Sequence, residues 1–135
     1  MSIGSGVDEG STNFVRQFLS SAGKVIIVEE ELQDAVTATS GSGPAYFFAF
    51  IEAMIEGGKK LGLPEKIASQ LAIQTIVGAA EMLATSGKDP ATLRENVTSP
   101  NGTTHAALTT FQSHNLKNIV ADAMAAAEKR SQELA

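Results

Sequence analysis

The sequence contains no cysteine and no tryptophan, and its only aromatic residues are six phenylalanines and one tyrosine. The absence of cysteine excludes a disulfide framework and a thiolate metal site. With so few aromatic side chains, a core must be built from Ala, Ile, Leu, Val and Met, which close helix packing achieves. A length of 135 residues is enough for one domain with a core. The composition therefore favours an α-rich bundle.

Positive charge is also scarce, since 10 Lys and Arg face 15 Asp and Glu for a net charge of −5. No dense basic cluster occurs, which argues against nucleic acid or an anionic membrane as the partner. The uncharged apolar run Ile67 to Ala80 includes polar residues and is too short to span a bilayer. No signal-peptide segment opens the chain, so a cytoplasmic location is the default expectation.

The first ten residues carry Gly4, Gly6 and Gly10, which superficially resemble a nucleotide-binding glycine loop. Their spacing is GxGxxxG rather than GxGxxG, almost no chain precedes them to form a strand, and no complete βαβ unit follows. A flexible or truncated N-terminal segment is therefore favoured over a dinucleotide site.

Residues 11–31 predict a helix from Ser11 to Ala22, a buried strand from Lys24 to Val28 and a charged connection at Glu29 to Glu31. A single helix and a single strand cannot form a sheet. We therefore interpret residues 1–31 as the last fragment of a larger α/β domain.

Two long apolar helices follow. The first is predicted from Pro44, at the end of the SGSGP turn, to Leu61, and Gly62 ends it. The second, about Pro64 to Thr85, is apolar nearly all round. A domain this small can hardly bury such a helix with its own chain, so the sequence predicts subunit association through helices.

The rest of the chain predicts three further helices. Asp89 and Pro90 have the form of a cap and a first-turn proline for a short helix. A loop rich in hydroxyl groups, Thr98 to Thr104, leads into a helix that bears Phe111, and a last helix runs from about Leu116 to Leu134.

The hydroxyl-rich loop is the best candidate site. Free backbone N–H groups, hydroxyls and a helix N-terminus meet there, and together they can hold an anion such as a carboxylate. Thr103 or Thr104 can also donate its O–H to a ligand nitrogen or act as a weak acid. An ordinary capped turn is the alternative interpretation, and the pattern alone leaves both open.

Other candidates are weaker. His105 and His114 suggest a general base, but neither has a convincing partner in the sequence, and no His, Asp and Glu group has metal-ligand spacing. Glu52 and Glu56 fall on one helix face, yet two lysines lie a turn away, so a solvated charged face is favoured over paired catalytic carboxylates.

Four stretches together resemble the C-terminal domain of pyrroline-5-carboxylate reductase. They are SGSGPAY at 40–46, GLP at 62–64, LREN at 93–96 and VTSPNGTT at 97–104. The resemblance extends from about Asp34 to the end of the chain, and residues 11–31 resemble the final helix and strand of that family's dinucleotide-binding domain.

The resemblance implies a mainly α fold: a helical dimerisation and substrate-binding domain over residues 32–135 that interleaves its long helices with a second subunit, often within a larger ring. This fold is similar to the C-terminal domain of 6-phosphogluconate dehydrogenase. The reaction implied is reduction of the pyrroline C=N bond by NADPH or NADH, giving L-proline in proline biosynthesis.

The resemblance also implies roles for individual residues. Substrate-binding positions are Ser99, Asn101, Gly102, Thr103 and Thr104. Ser99, Gly102 and Thr103 hold the substrate carboxylate through hydroxyl and N–H groups, while Thr104 hydrogen-bonds the ring nitrogen and is the catalytic candidate. Asn96 lies near the cofactor from the partner subunit, and no metal is needed. Asn101 replaces a family glycine, and asparagine tolerates left-handed backbone well enough for the turn to survive.

The family's glycine fingerprint has no counterpart in the sequence, so the resemblance implies no complete cofactor site and an inactive chain in isolation. Two alternatives stand beside this hypothesis. One is a stand-alone oligomeric module that binds proline or a similar amino acid, and the other is a structural scaffold without a ligand.

Overall fold

The computed structural model describes residues 1–134, and within them it contains helices and no β-strand. In chain order the α-helices are α1 (Glu9–Ser20), α2 (Gln33–Val36), α3 (Gly43–Lys60), α4 (Glu65–Thr85), α5 (Pro90–Asn96), α6 (Thr103–Ser113) and α7 (Leu116–Leu134). A 3-10 turn, Glu30–Leu32, precedes α2, and a π-helical turn, Thr37–Gly41, follows it. The prediction of a mainly α fold is confirmed.

The chain forms two compact units, which differ from the division at residue 31. One consists of Met1–Gly43 together with the end of the chain from Asp122, and the other is Pro44–Ala121. In the first unit α1 is capped by Asp8, whose carboxylate accepts hydrogen bonds from the Ser11 N–H at 2.9 Å and the Ser11 hydroxyl at 2.7 Å. These two bonds lower the pKa of the Asp8 carboxyl.

The predicted strand from Lys24 to Val28 is wrong for the described chain. The segment is without regular structure and pairs with a single residue: the Met1 amine donates to the Ile26 carbonyl at 2.8 Å, and the Val28 N–H donates to the Met1 carbonyl at 3.0 Å. A strand needs a neighbour that continues the ladder of hydrogen bonds. The segment has the composition of a strand, but Met1 alone pairs with it, and a single residue cannot continue the ladder of hydrogen bonds.

The predicted SGSGP turn is corrected in part, because Ser40 and Gly41 belong to the π-helical turn and Ser42 alone separates that turn from α3. The Ser42 N–H donates to the Thr37 carbonyl five residues earlier, at 2.8 Å, which makes the turn π-helical. Ala38 in this turn is 2% exposed. Pro44 is the second residue of α3, where its missing N–H has no intrahelical acceptor to lose.

In the second unit, α3 and α4 are joined by a tight turn at Gly62. Its φ is +95°, the Leu63 N–H donates to the Gly58 carbonyl at 3.0 Å, and the Gly62 N–H donates to the Lys59 carbonyl at 2.9 Å. This is a Schellman motif, and it ends the helix at the glycine that the sequence predicted. The Phe50 ring of α3 also contacts the Phe111 ring of α6, with centroids 6.1 Å apart.

The helix α4 has little cover from its own chain. Its buried residues are Ala68 and Ala72, whereas Leu71 is 55% exposed and Val77 54% exposed. The 21-residue helix is longer than its uncharged run and reaches the length and apolarity of a membrane span, but core helices of soluble proteins reach them too. The expectation that this helix is not covered by its own chain is confirmed.

Candidate functional site

The short helix α5 leads into the hydroxyl-rich loop, and its start is fixed by Asp89. The Asp89 carboxylate accepts hydrogen bonds from the N–H groups of Ala91 and Thr92, each at 3.0 Å, and from the Thr92 hydroxyl at 2.7 Å. The bond from the Thr92 hydroxyl contributes most to lowering the pKa of the Asp89 carboxyl. The predicted cap and first-turn proline are both present.

The loop reverses the chain between α5 and α6 in a single turn. The Gly102 N–H donates to the Ser99 carbonyl at 3.0 Å, and Asn101 adopts the left-handed conformation with φ +59°. Asparagine therefore does what the replaced glycine would do, as predicted. Gly102 then takes an extended conformation and caps α6, its carbonyl accepting from the Ala106 N–H at 3.1 Å.

This geometry changes the set of N–H groups that can bind a ligand. The family resemblance implies a donor role for Gly102, but its N–H is already used within the turn. In the described chain, no acceptor faces the N–H groups of Thr103, Thr104 and His105, which are the first three of α6. Thr103 and Thr104 are thus the two loop positions that place a free backbone donor in the first turn of α6.

Side-chain hydroxyls are free as well at this corner, by which we mean the loop from Ser99 to Gly102 and the first turn of α6. Ser99, Thr103 and Thr104 form no side-chain hydrogen bond with the part of the chain that is described, while nearby threonines do. Thr98 donates to the Arg94 carbonyl at 2.6 Å and Thr109 to the His105 carbonyl at 2.9 Å. The loop therefore presents three hydroxyls and three N–H groups around the start of one helix. The first turn of α6 contains no acidic residue that would repel an anion.

The loop lies on the surface of its unit. Ser99, Asn101 and Thr103 are exposed, and Thr104 is half-buried. A cleft of about 690 Å³ opens farther along α6, between residues of α5, α6 and the start of α7, and its lining includes Arg94, Phe111 and Lys117 but none of the loop residues. The donors are consequently gathered at one corner without an enclosing wall from this unit.

Asn96 is the last residue of α5 and is exposed, so its cofactor role stays a prediction. Of the two histidines, His114 has its ring Nδ1 2.9 Å from the Thr110 carbonyl, and neither ring pairs with a carboxylate among residues 1–134. Glu56 binds Lys59 at 2.8 Å, and this hydrogen bond lowers the pKa of Glu56. The interpretation as a solvated charged face fits these contacts.

The glycine-rich N-terminus does not have the geometry of a phosphate site. Gly6 has φ +89°, but the N-terminus of α1 that follows is occupied by the Asp8 carboxylate. A carboxylate at that position repels a pyrophosphate and uses a donor that would bind it. Residues 1–20 therefore do not fit a dinucleotide.

Sequence comparison identifies relatives of the whole chain. A family profile described as pyrroline-5-carboxylate reductase dimerisation matches residues 30–134. The pyrroline-5-carboxylate reductase of Pseudomonas aeruginosa is 52% identical over 120 residues, which are 88% of this chain and 44% of that protein. The Arabidopsis thaliana enzyme is 43% identical over 134 residues, which are 99% of this chain and 49% of that protein. The chain thus spans about half the length of the curated relatives it matches.

Solved structures give the same result. The pyrroline-5-carboxylate reductase of Coxiella burnetii superimposes with a TM-score of 0.93 at 37% identity, covering 99% of this chain and 50% of that one. The Plasmodium falciparum pyrroline carboxylate reductase, solved with NADP bound, superimposes with a TM-score of 0.86 at 33% identity, covering 96% of this chain and 52% of that one.

Proposed function

Because the chain belongs to the pyrroline-5-carboxylate reductase family, we propose that it is the dimerisation and substrate-binding half of an enzyme that reduces 1-pyrroline-5-carboxylate to L-proline. The reductant is NADPH or NADH, and the setting is proline biosynthesis in the cytoplasm. The observation that carries the proposal is the corner at the start of α6, where three hydroxyls and three N–H groups have no partner in the described chain.

The substrate carboxylate is the ligand that suits this corner. The N–H groups of Thr103 and Thr104 and the hydroxyls of Ser99 and Thr103 donate to its oxygens, and the positive end of the α6 dipole favours its charge. Asn101 and Gly102 set the turn that brings these donors together. Binding through the carboxylate fixes the position of the ring relative to the loop.

Thr104 is proposed to be the catalytic residue. With the carboxylate held at the start of α6, its hydroxyl donates a hydrogen bond to the ring nitrogen and orients the C=N bond. When the ring carbon is reduced, the nitrogen accepts a proton from water, either directly or through the Thr104 hydroxyl, which passes on its own proton and is reprotonated by water. No covalent intermediate with the protein is required.

The nicotinamide cofactor is proposed to be held by the half of the enzyme that the relatives have in addition to the region matched here. The glycine-rich N-terminus does not fit a dinucleotide, so we derive no step through the cofactor from these residues. Asn96, at the end of α5, is proposed to contact the cofactor bound by the other subunit.

The partner is proposed to be a second copy of the chain. The family profile is that of a dimerisation domain, and the exposed apolar side chains of α4 provide the surface. The dimer is proposed to interleave its long helices, and it can assemble further into a ring.

The test combines catalysis with binding. We expect the 135-residue chain to show no NADPH oxidation with pyrroline-5-carboxylate. Turnover by this chain alone would contradict the proposal that the cofactor is held by the other half of the enzyme. In calorimetry we expect L-proline to bind, and Thr104→Val to weaken binding by about tenfold, since it removes one hydrogen bond to the ligand. Thr110→Val is the matched control, because the Thr110 hydroxyl donates to the Ala106 carbonyl at 3.1 Å.

Two outcomes would favour the alternatives. If the chain binds L-proline but a version extended to the length of the relatives shows no reductase activity, the chain is an amino-acid-binding module. If neither the chain nor the extended version binds L-proline, the loop is a capped turn and the chain is a scaffold.

A further inference from the structure

Gly102 has a close neighbour that the other turn glycines lack. A Cβ added to Gly102 would overlap the Ser99 Oγ and would lie 3.1 Å from the Ser99 carbonyl oxygen. The backbone conformation itself does not call for glycine, because φ is −79° and ψ is 176°, an extended conformation open to any residue. The requirement at Gly102 is therefore for space.

Gly62 and Gly87 show the opposite requirement. Both have positive φ, +95° and +68°, and an added Cβ would have no atom within 4 Å. Those two positions need a left-handed backbone and have room to spare. At Gly102 the space that a Cβ would fill is occupied by one atom, the Ser99 hydroxyl oxygen, which has no hydrogen-bond partner within the described residues.

We propose that Gly102 is a positioning residue whose missing side chain lets the Ser99 hydroxyl lie against the start of α6. This inference rests on the proposed carboxylate site and deepens it. The role differs from the donor role given by the family resemblance, because the Gly102 N–H is bound to the Ser99 carbonyl. A methyl group at position 102 would rotate the Ser99 hydroxyl away, while the turn and its hydrogen bond can persist.

A double-mutant cycle on the 135-residue chain tests the proposal, with L-proline as the probe in calorimetry. We expect Ser99→Ala to weaken binding by about tenfold, the cost of one hydrogen bond to a charged group. Gly102→Ala should weaken binding by a similar factor. In the Ser99→Ala background, Gly102→Ala should change affinity less than twofold, because the displaced atom is already gone. Independent, multiplying effects of the two substitutions would overturn the proposal.

Gly57→Ala is the matched control, since a Cβ at Gly57 meets no atom within 4 Å, and affinity should be unchanged. If Gly102→Ala fails to fold, the double variant should recover its helical circular dichroism. A double variant that stays unfolded would overturn the proposal.

A measurement without ligand separates this inference from the proposed function. Three-bond couplings in NMR report the Ser99 χ1 rotamer, which should change in Gly102→Ala and stay unchanged in Gly57→Ala. An unchanged Ser99 rotamer in Gly102→Ala would overturn the inference even if L-proline binds. Absence of L-proline binding by the unsubstituted chain, with the rotamer change present, would count against the carboxylate site and leave the packing role of Gly102 in place.

Discussion

Threonine has two roles in this chain, and its position within a helix decides between them. Inside helices the hydroxyl donates to the carbonyl four residues earlier, as in Thr75 with Leu71 and Thr85 with Glu81. Thr103 and Thr104 stand in the first turn of α6, and their hydroxyls form no such bond with the described residues. The same residue type thus bonds to its own helix in one place and remains available to a ligand in another.

This distinction shows how far residue-level prediction from sequence reached. Ser99, Thr103 and Thr104 could be proposed as ligand donors from sequence because caps and first turns are set by a few neighbouring residues. The occupation of the Gly102 N–H was missed, because it depends on how the turn closes back on Ser99. A proline followed by asparagine and glycine is the signal that could have indicated this turn.

Asn101 provides a test at this scale. Its φ of +59° suits asparagine and glycine, whereas the Cβ of alanine is sterically strained in the left-handed region. We expect Asn101→Ala to lower the free energy of unfolding by about 1 kcal/mol, and Asn101→Gly to change it by less than about 0.5 kcal/mol. Urea unfolding followed by circular dichroism measures both. An equal loss for alanine and glycine would show that the asparagine side chain, and not its backbone conformation, matters.

At the scale of elements, the long α-helices were predictable, whereas the strand predicted from Lys24 to Val28 is not formed in the described residues. The end of α4 follows from Gly87 and the start of α5 from Asp89, because each acts on the adjacent turn of helix. The segment from Lys24 to Val28 has the composition of a strand, but strand pairing depends on chain that is distant in sequence. The π-helical turn Thr37–Gly41 was missed because glycine and serine are equally typical of a loop.

The cap of α5 predicts how stability depends on pH. Hydrogen bonds hold the pKa of the Asp89 carboxyl below its ordinary value of 3.8, so the charged form is favoured in the folded state. Its contribution is fully present above the unfolded pKa and is lost as the pH falls through the lower folded pKa. We expect Asp89→Ala to reduce the melting temperature at pH 7 more than at pH 2.5, at a fixed protein concentration.

Glu52→Ala is the control for this experiment, because the Glu52 carboxylate accepts no hydrogen bond from the described residues. Its effect should be small at both values of pH. A loss from Asp89→Ala that is the same at pH 7 and pH 2.5 would argue that the cap does not depend on the charge.

The turn between α3 and α4 provides a second test at this scale. A Cβ at Gly58 would lie 3.1 Å from the Ala68 Cβ, while one at the neighbouring Gly57 would meet no atom within 4 Å. Both glycines lie inside α3, so alanine gains up to about 1 kcal/mol of helix propensity at either position. We expect Gly57→Ala to realise that gain and Gly58→Ala to be less stable than Gly57→Ala by about 1 kcal/mol or more. Chemical denaturation compares the two, and equal stabilities would mean that α3 and α4 are not closely packed at this point.

At the scale of the whole molecule, the main feature is a large solvent-exposed area. The chain exposes 10,496 Å², whereas a folded monomer of 14.0 kDa exposes about 6,700 Å². The apolar residues that make up this surface include Leu71 and Val77 of α4, each more than half exposed. The sequence predicted that α4 is not covered by its own chain, but where a partner would bind depends on a second molecule and cannot be derived from one copy.

The last prediction concerns that partner. If a second copy covers α4, a carboxylate at Leu71 or Val77 must be buried without a counterion when the dimer forms, which costs several kcal/mol. We expect Leu71→Glu and Val77→Glu to raise the dimer dissociation constant by at least about a hundredfold, measured by light scattering over a range of concentrations. Gln70→Glu, at an exposed polar position one residue from Leu71, is the control for added charge and should stay dimeric. If the unsubstituted chain is already a folded monomer at all concentrations, the apolar side chains of α4 are compatible with water in this protein, and the argument from burial to dimerisation fails at its first step.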